Sequence, residues 1–322
     1  MPNDASPREV GAAAMRARFV LEAAAGMGAQ PDEPYREPEI TLKPQGGGRP
    51  IRLSASSTLD GIVRVVAGEI DLAFLNPSSA LTVAYRGKGA TFTGPQPVRA
   101  VTVLPSRDQC LFAVHGSTGL GSIEDIGRAK YPLRLGLRGR EVHWLHNMLD
   151  DVFAAAGFSV ADIVAWGGEV RKGGHIPRTG TPKFEALARG ELTALFDEGV
   201  HGWADGLTPA GLRALRLEED TLARLEEMGY RRDRLTRERY PTLPEDVPTL
   251  DFSGWPLFVR EDAEDDMVRR VCAGLEARRH MIPWEGAGPL PLDRMCRDTP
   301  EGPLDVPLHP AAEAFWKEQG YL

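Results

Sequence analysis

Two short polar stretches lie where this sequence could hold a small polar ligand. Residues 54–58 (SASST) precede a helix-forming segment, and residues 76–79 (NPSS) follow the apolar run 71–75. Free backbone N–H groups and hydroxyls at a helix start favour an anion such as a carboxylate. The same residue types also form ordinary helix caps and turns, so both interpretations stay open. The candidate ligand-binding residues here are Ser56, Ser57, Thr58, Asn76 and Ser78.

Charged residues supply a second group of candidates. Arg138 and Arg140 flank Gly139 after the apolar run 133–137, and a guanidinium can bind a carboxylate through two hydrogen bonds. Glu198 follows the apolar run 192–196 and is a weaker candidate. Surface charge is the alternative interpretation for both arginines. We expect Arg138 to be the main ligand-binding residue of this group.

The motifs of several enzyme and metal-site classes are missing. His143 and His146 are three residues apart, but no third ligand is identifiable, so we expect no metal site. No GxSxG, Walker or GxGxxG pattern occurs, and no cofactor is expected. Cys110, Cys272 and Cys296 form no CxxC pair, which favours buried apolar cysteines over a disulfide or zinc site.

Composition narrows the class of protein further. The chain has 322 residues, 42% hydrophobic and 26% charged, with a net charge of −8. This acidic balance argues against nucleic acid and anionic membrane surfaces as partners. Charged residues interrupt every apolar run near the N-terminus, so we expect no signal peptide and no membrane insertion. The sequence as written therefore predicts a cytoplasmic protein, or a periplasmic one if translation starts upstream and adds a signal sequence.

The helices and strands that position these candidate residues can be predicted from the pattern of apolar residues. Short apolar strands alternate with helices, which predicts an α/β fold with mostly parallel sheets flanked by helices. The length favours two lobes. We expect strands at 98–104, 110–114 and 133–137, a strand at 163–166, and helical structure across the charged segment 208–239.

Several short sequence segments occur in the same order as similar segments in one family of receptors. Together they resemble the TAXI class of solute receptors of TRAP transporters, which have a periplasmic-binding-protein type II-like fold. The phrases are VVAGEIDLAF (65–74), AYRG (84–87), SIEDIGR (122–128), the segment 153–163, GELTALF (190–196) and PLHPAA (307–312).

This resemblance implies two lobes with a ligand-binding cleft between them. Lobe 1 would comprise residues 1–104 plus 245–322, and lobe 2 residues 105–244. The implied function is binding of a small carboxylate or amino-acid-like solute, with TRAP membrane subunits as further partners. The chain departs from the family by lacking the N-terminal strand with its glycine-rich clamp loop, and the signal peptide.

Two other functions stay open. A cytoplasmic enzyme on the same fold, such as a decarboxylase or lyase, would act on a small organic acid, with His143, His175, His201, Asp197 or Glu198 as the base. A regulator could dock a partner through the charged segment 208–239. A missing first strand would leave a sheet edge to cover, so a homodimer is a further expectation.

Overall fold

A computed structural model describes residues 12–28, 37–44, 48–56, 59–139 and 143–322. The predicted positions Ser57, Thr58 and Arg140 lie outside the described residues. The helices in the described part are α1 (Ala12–Gly28), α2 (Asp60–Val66), α3 (Ser78–Arg86), α4 (Ile123–Ala129), α5 (Trp144–Ala155), α6 (Val160–Ala165), α7 (Pro182–Ala188), α8 (Glu219–Met228), α9 (Asp265–Arg278), α10 (Leu292–Met295) and α11 (Pro310–Glu318). The strands are β1 (Glu39–Leu42), β2 (Ile51–Ser56), β3 (Leu72–Leu75), β4 (Val98–Leu104), β5 (Leu111–His115), β6 (Arg134–Leu137), β7 (Glu169–Lys172), β8 (Ala194–Asp197), β9 (Leu212–Ala214), β10 (Arg232–Leu235), β11 (Val247–Leu250) and β12 (Trp255–Arg260).

The strands form two five-stranded sheets and one small ribbon. The first sheet has the order β1-β2-β3-β12-β4, the second has the order β7-β6-β8-β5-β9, and β10 pairs with β11. The predicted α/β fold with two helix-flanked sheets is confirmed. The first sheet takes its strands from 39–104 and 255–260, and the second from 111–214. The lobe limits proposed from the sequence stay a prediction.

The prediction of mostly parallel sheets is wrong. In the first sheet only β2 and β3 pair in parallel, while β12 runs antiparallel to both β3 and β4. In the second sheet β6 is parallel to β7 and β8, whereas β5 is antiparallel to β8 and β9. Strand β5 follows a segment that crosses from the first sheet, and strand β12 follows a segment that comes from the β10-β11 ribbon. A crossing segment can enter a sheet in either direction, and apolar runs do not encode that direction.

Alternating side chains place both faces of each sheet in apolar cores. Ala73 and Phe258 pack into one core, while their neighbours Leu72 and Val259 pack on the opposite face against α9 and α11. This two-residue period is the one expected of a strand covered on both sides. The core that contains Ala73 extends to Phe112 in the second sheet, so the two sheets share apolar packing.

Two local predictions were wrong. The segment predicted as a strand at 163–166 lies in helix α6 and its cap, because Ser159 and Asp162 form a reciprocal capping box at the start of that helix. Within the segment 208–239, α8 is the one α-helix and a 3₁₀ turn covers Thr208–Ala210, while strands β9 and β10 lie on either side of α8. Gly211 and Gly229, both at positive φ, lie directly before β9 and directly after α8.

The predicted character of the cysteines is confirmed. All three are free and buried. Burial raises the pKa of Cys272 to about 12 and that of Cys296 to about 11. No described helix is both long and apolar enough to cross a membrane. Within the described ranges, no group of three or more His, Cys, Asp or Glu side chains could hold a metal ion.

Candidate functional site

Two connecting segments form the frame of the candidate site. Segment 105–110 joins β4 of the first sheet to β5 of the second, and segment 251–254 joins β11 of the ribbon to β12 of the first sheet. They run antiparallel and are bonded to each other and to the flanking strand β11. Cys110 N–H donates to Leu250 O at 3.0 Å, Phe252 N–H to Asp108 O at 3.0 Å, and Gly254 N–H to Ser106 O at 2.9 Å. We call these two stretches the crossover segments.

The turn after β3 lies against the second crossover segment. Asn76-Pro77 is a cis peptide bond, and helix α3 begins at Ser78 without a side-chain cap. Ser78 N–H donates to Ser253 O at 3.2 Å. A Cβ atom added to Gly254 would lie 2.5 Å from Ser78 Oγ, so only glycine fits beside this hydroxyl.

Three side-chain oxygens of this turn are buried without hydrogen-bond partners in the described part of the chain. They are Asn76 Oδ1, Ser78 Oγ and Ser79 Oγ. Ser78 is 3% exposed and Ser79 is 7% exposed. Buried polar groups in native proteins nearly always have a partner, so three unpaired oxygens in one turn indicate a place for a polar ligand or water.

The predicted residue Ser56 ends strand β2, and Asn76 follows strand β3. Because β2 and β3 are parallel neighbours, both residues lie at the same edge of the first sheet. Asn76 and Ser78 thus take the strand-end positions that the sequence predicted.

Arg138 lies at the corresponding edge of the second sheet, where it is paired with two carboxylates. Its Nη2 contacts Asp197 Oδ1 and lies 2.9 Å from Glu198 Oε1, while Nε lies 3.1 Å from Asp197 Oδ1. Strands β6 and β8 are parallel neighbours, which brings Arg138 and Asp197 together at their carboxyl ends. Lys183 adds a second cation, with Nζ 3.6 Å from Asp197 Oδ2 and 3.0 Å from Leu137 O. We call Arg138, Lys183, Asp197 and Glu198 the ion cluster.

Burial shifts the pKa values of the ion cluster. Desolvation raises the pKa of Glu198 to about 7, and Arg138 only partly opposes this effect. Burial lowers the pKa of Lys183, against the attraction of Asp197. Burial opposes the charge on Arg138, but the two carboxylates outweigh it and raise the pKa of the guanidinium. The charge of Glu198 therefore changes near neutral pH.

His143, one of the predicted candidate bases, and His146, which was considered only as a metal ligand, lie beside this cluster. His143 Nδ1 accepts the Leu145 N–H at 3.2 Å at the start of α5, and its Nε2 lies 3.9 Å from Glu198 Oε1. His146 Nε2 lies 3.2 Å from Arg138 O. Both histidines therefore contact residues at the cluster.

Asp108 connects the two halves of the site. Its carbonyl oxygen accepts the Ser253 hydroxyl at 3.0 Å, and Ser253 O accepts the Ser78 N–H. Its carboxylate accepts the N–H of Gly199 at 2.9 Å and that of Val200 at 3.4 Å. The first crossover segment is thus bonded both to the partner of the 76–79 turn and to the loop after Glu198.

A second ionic group fixes the crossover segments. Arg107 donates to Asp251 Oδ1 at 2.7 Å and lies 2.6 Å from Asp233 Oδ2. Burial raises the pKa of Asp251 to about 6, although Ser253 and Arg107 favour its charged form.

Sequence reasoning missed Lys183, Asp108 and Gly254. Lys183 belongs to α7, which is distant in sequence from the strand ends that it contacts. Asp108 is an isolated acid in a connecting segment, and its sequence neighbourhood carries no ligand-binding pattern. Gly254 follows Ser253 in the short Phe252-Ser253-Gly254 stretch, where the glycine itself was the only local signal, and its positive φ of 77° is visible only in the structure.

Several solved structures are similar to this chain at low sequence identity. No protein-family model matches it, and no curated protein matches it. The alkanesulfonate-binding protein SsuA from Xanthomonas axonopodis pv. citri matches with 15% identity and a TM-score of 0.29, over 68% of this chain and 61% of that one. A TctC solute-binding protein from Polaromonas matches with 14% identity and a TM-score of 0.34, over 67% of each chain.

The similar structures also include an enzyme. The ATP phosphoribosyl transferase (HisG:HisZ) complex from Thermotoga maritima matches with 10% identity and a TM-score of 0.37, over 80% of this chain and 90% of that one. The matched region spans less than two thirds of the alkanesulfonate-binding protein. At these identities and TM-scores, none of the three assigns a ligand or an activity to this chain.

Proposed function

We propose that the chain is a solute-binding protein that holds a small carboxylate or amino-acid-like solute between the 76–79 turn and the ion cluster. The observation that carries this proposal is the set of three buried oxygens, Asn76 Oδ1, Ser78 Oγ and Ser79 Oγ, which have no partner among the described residues. Each unsatisfied buried polar group costs about 1–3 kcal/mol. A polar solute at this turn would supply the missing hydrogen bonds.

The ion cluster supports a solute that carries a carboxylate, an ammonium group or both. Arg138 presents its guanidinium to two carboxylates, and one of them, Glu198, has a pKa of about 7. A solute carboxylate can replace Glu198 on Arg138, because the displaced side chain is readily neutralised by a proton. A solute ammonium group can bind Asp197 or Glu198 in the same cluster.

The crossover segments support closure around the solute. Asp108 and Ser253 link the turn on the first sheet to the loop on the second, so a solute that contacts both would favour one arrangement of the two sheets. Hinge closure of this kind is common where two domains hold a ligand. The ordered phrases shared with TAXI receptors agree with this function, and TRAP membrane subunits would be its partners.

The test combines thermal unfolding with titration calorimetry. Dicarboxylates, amino acids and aromatic acids are screened first, and a solute at 100 times its Kd should stabilise the protein by about 2.7 kcal/mol. Ser78→Ala should weaken binding of the solute found by about 5- to 10-fold, since one hydrogen bond is worth about 1 kcal/mol. It should leave the free protein at least as stable as before, because the buried hydroxyl that it removes has no partner among the described residues.

Thr82→Val is the matched control. Thr82 lies in the same helix and is equally buried, but its hydroxyl donates to Ser78 O at 3.2 Å. Its replacement should leave the affinity unchanged. Equal losses of affinity in both variants, or no loss in Ser78→Ala, would show that the turn does not contact the solute.

An enzyme acting on a small organic acid is the second candidate, favoured by one observation. Glu198 has a pKa of about 7 and lies beside Arg138 and His143, which suits a general acid or base. Mass spectrometry of each solute after incubation separates the two functions. Recovery of an intact solute supports binding alone, while consumption that is abolished by Glu198→Gln supports catalysis.

A further inference from the structure

A cavity of about 490 Å³ lies away from the residues of the proposed solute site. Its walls are helix α4, the start of helix α8, and the segment from the end of α5 through α6. Its volume falls in the range of small-molecule sites, about 300–1,000 Å³.

Two buried polar groups line this cavity without a complete set of partners. Glu124 is 8% exposed, and its Oε1 accepts the Glu218 N–H at 3.1 Å. Its Oε2 is buried and has no hydrogen-bond partner among the residues described. Thr221 is fully buried, and its Oγ1 is likewise unpaired within the described ranges. Both residues line the cavity, and each has one buried oxygen for which the described part of the chain supplies no partner.

The charge of Glu124 is not balanced by a nearby cation. In the described part of the chain, no Lys, Arg or His nitrogen lies within 4.0 Å of its carboxylate. Arg128 also lines the cavity, but it is paired with Asp125 at 2.7 Å and with Glu218 at 2.5 Å. Lys130 and Arg224 line the cavity as exposed side chains. Burial of an unpaired carboxylate is costly, so a cation beside Glu124 would be stabilising.

Aromatic rings form the apolar wall of the cavity. Phe158 and Trp166 both line it, with ring centroids 5.9 Å apart and planes inclined at 40°. Trp166 is half-buried, so part of its ring is open to the cavity. Aromatic faces attract cations and also accept hydrocarbon groups.

We propose that this cavity binds a small organic ammonium ion. The ammonium N–H groups would donate to Glu124 Oε2 and Thr221 Oγ1, and the hydrocarbon part would pack on Phe158 and Trp166. This inference does not depend on the proposed solute site, because the two sites share no residue.

The experiment measures binding of benzylammonium, with neutral benzyl alcohol as the matched probe of the same shape. Titration calorimetry of the full chain should detect benzylammonium, while benzyl alcohol should bind at least 10-fold more weakly. Glu124→Gln should weaken benzylammonium binding by about 10- to 100-fold, the range expected for a hydrogen bond to a charged group. Glu245→Gln removes the same charge from an exposed position outside the cavity and should leave the affinity unchanged.

Thr221→Val keeps the side-chain shape and gives a second measurement if Glu124→Gln does not fold. It should weaken benzylammonium binding by about 5-fold, the loss of one neutral hydrogen bond. Ser78→Ala should leave benzylammonium binding unchanged, which separates this site from the solute site. Equal binding of the charged and neutral probes, or an affinity that neither Glu124→Gln nor Thr221→Val reduces, would overturn the proposal.

Discussion

Replacement of Glu198 by glutamine should stabilise the protein at alkaline pH. Glu198 is 5% exposed, and burial raises its pKa from 4.5 to about 7. Between these two pH values the folded protein binds more protons at this residue than the unfolded chain does. The contribution of Glu198 to the free energy of unfolding is therefore full below pH 4.5 and is lost as the pH rises through about 7.

The size of the effect follows from the pKa difference. Each pKa unit corresponds to about 1.4 kcal/mol, so the charged form of Glu198 costs on the order of 3 kcal/mol at pH 8. Glutamine resembles the protonated carboxyl and does not titrate. We expect Glu198→Gln to exceed the original protein in stability by about 1 kcal/mol at pH 5 and by about 3 kcal/mol at pH 8.

Urea unfolding at the two pH values, followed by tryptophan fluorescence, measures this difference. Asp251 and Asp108 also have raised pKa values, but they titrate in both proteins and cancel in the comparison. Glu245→Gln, at an exposed position, should show little change at either pH. A Glu198→Gln variant that is less stable than the original at pH 8 would refute the reasoning. It would mean that the attraction between Arg138 and Glu198, 2.9 Å apart, outweighs the cost of burial.

Two further predictions test the same site. Arg138→Met should lower the free energy of unfolding by about 3–5 kcal/mol, because it leaves Asp197 and Glu198 buried without their main cation. Urea unfolding at pH 8 measures this loss. A loss below about 1 kcal/mol would mean that the stability of the ion cluster does not depend on Arg138. Gly254→Ala should destabilise the protein more than Gly211→Ala, measured by thermal unfolding. Both glycines have a positive φ, but only at Gly254 would the new Cβ crowd Ser78 Oγ, at 2.5 Å, while Gly211 faces open space. Equal losses in the two variants would show that the space beside Ser78 is not restricted.

Local signals in the sequence predicted much of the fold. The strands at Val98–Leu104 and Leu111–His115 lie where the apolar runs predicted them. Local signals also start helices, as at α4, where Ser122 and Asp125 form a capping box. The wrong strand at 163–166 shows the limit of such signals, because four apolar-rich residues fit a strand and a helix equally well.

The candidate site was only partly predictable. Asn76 and Ser78 were found because strand ends and helix starts are visible in the sequence, and these features depend on neighbouring residues alone. Arg138 was also found, but as a free cation for a ligand carboxylate, whereas it is paired with Asp197 and Glu198, 59 and 60 positions along the chain.

The sequence by itself determined the α/β elements, the buried cysteines and the strand-end positions of the polar residues, because periodicity, caps and composition act over a few residues. Only the tertiary structure decided which strands run antiparallel, which charges are paired, and which polar atoms are left without partners. Ion pairing and desolvation depend on through-space distance and burial, which are set when β6, β8, α7 and the crossover segments pack together. For this reason Glu198 acquires a pKa of about 7, and three oxygens of the 76–79 turn have no partner among the described residues, although neither property can be predicted from neighbouring residues alone.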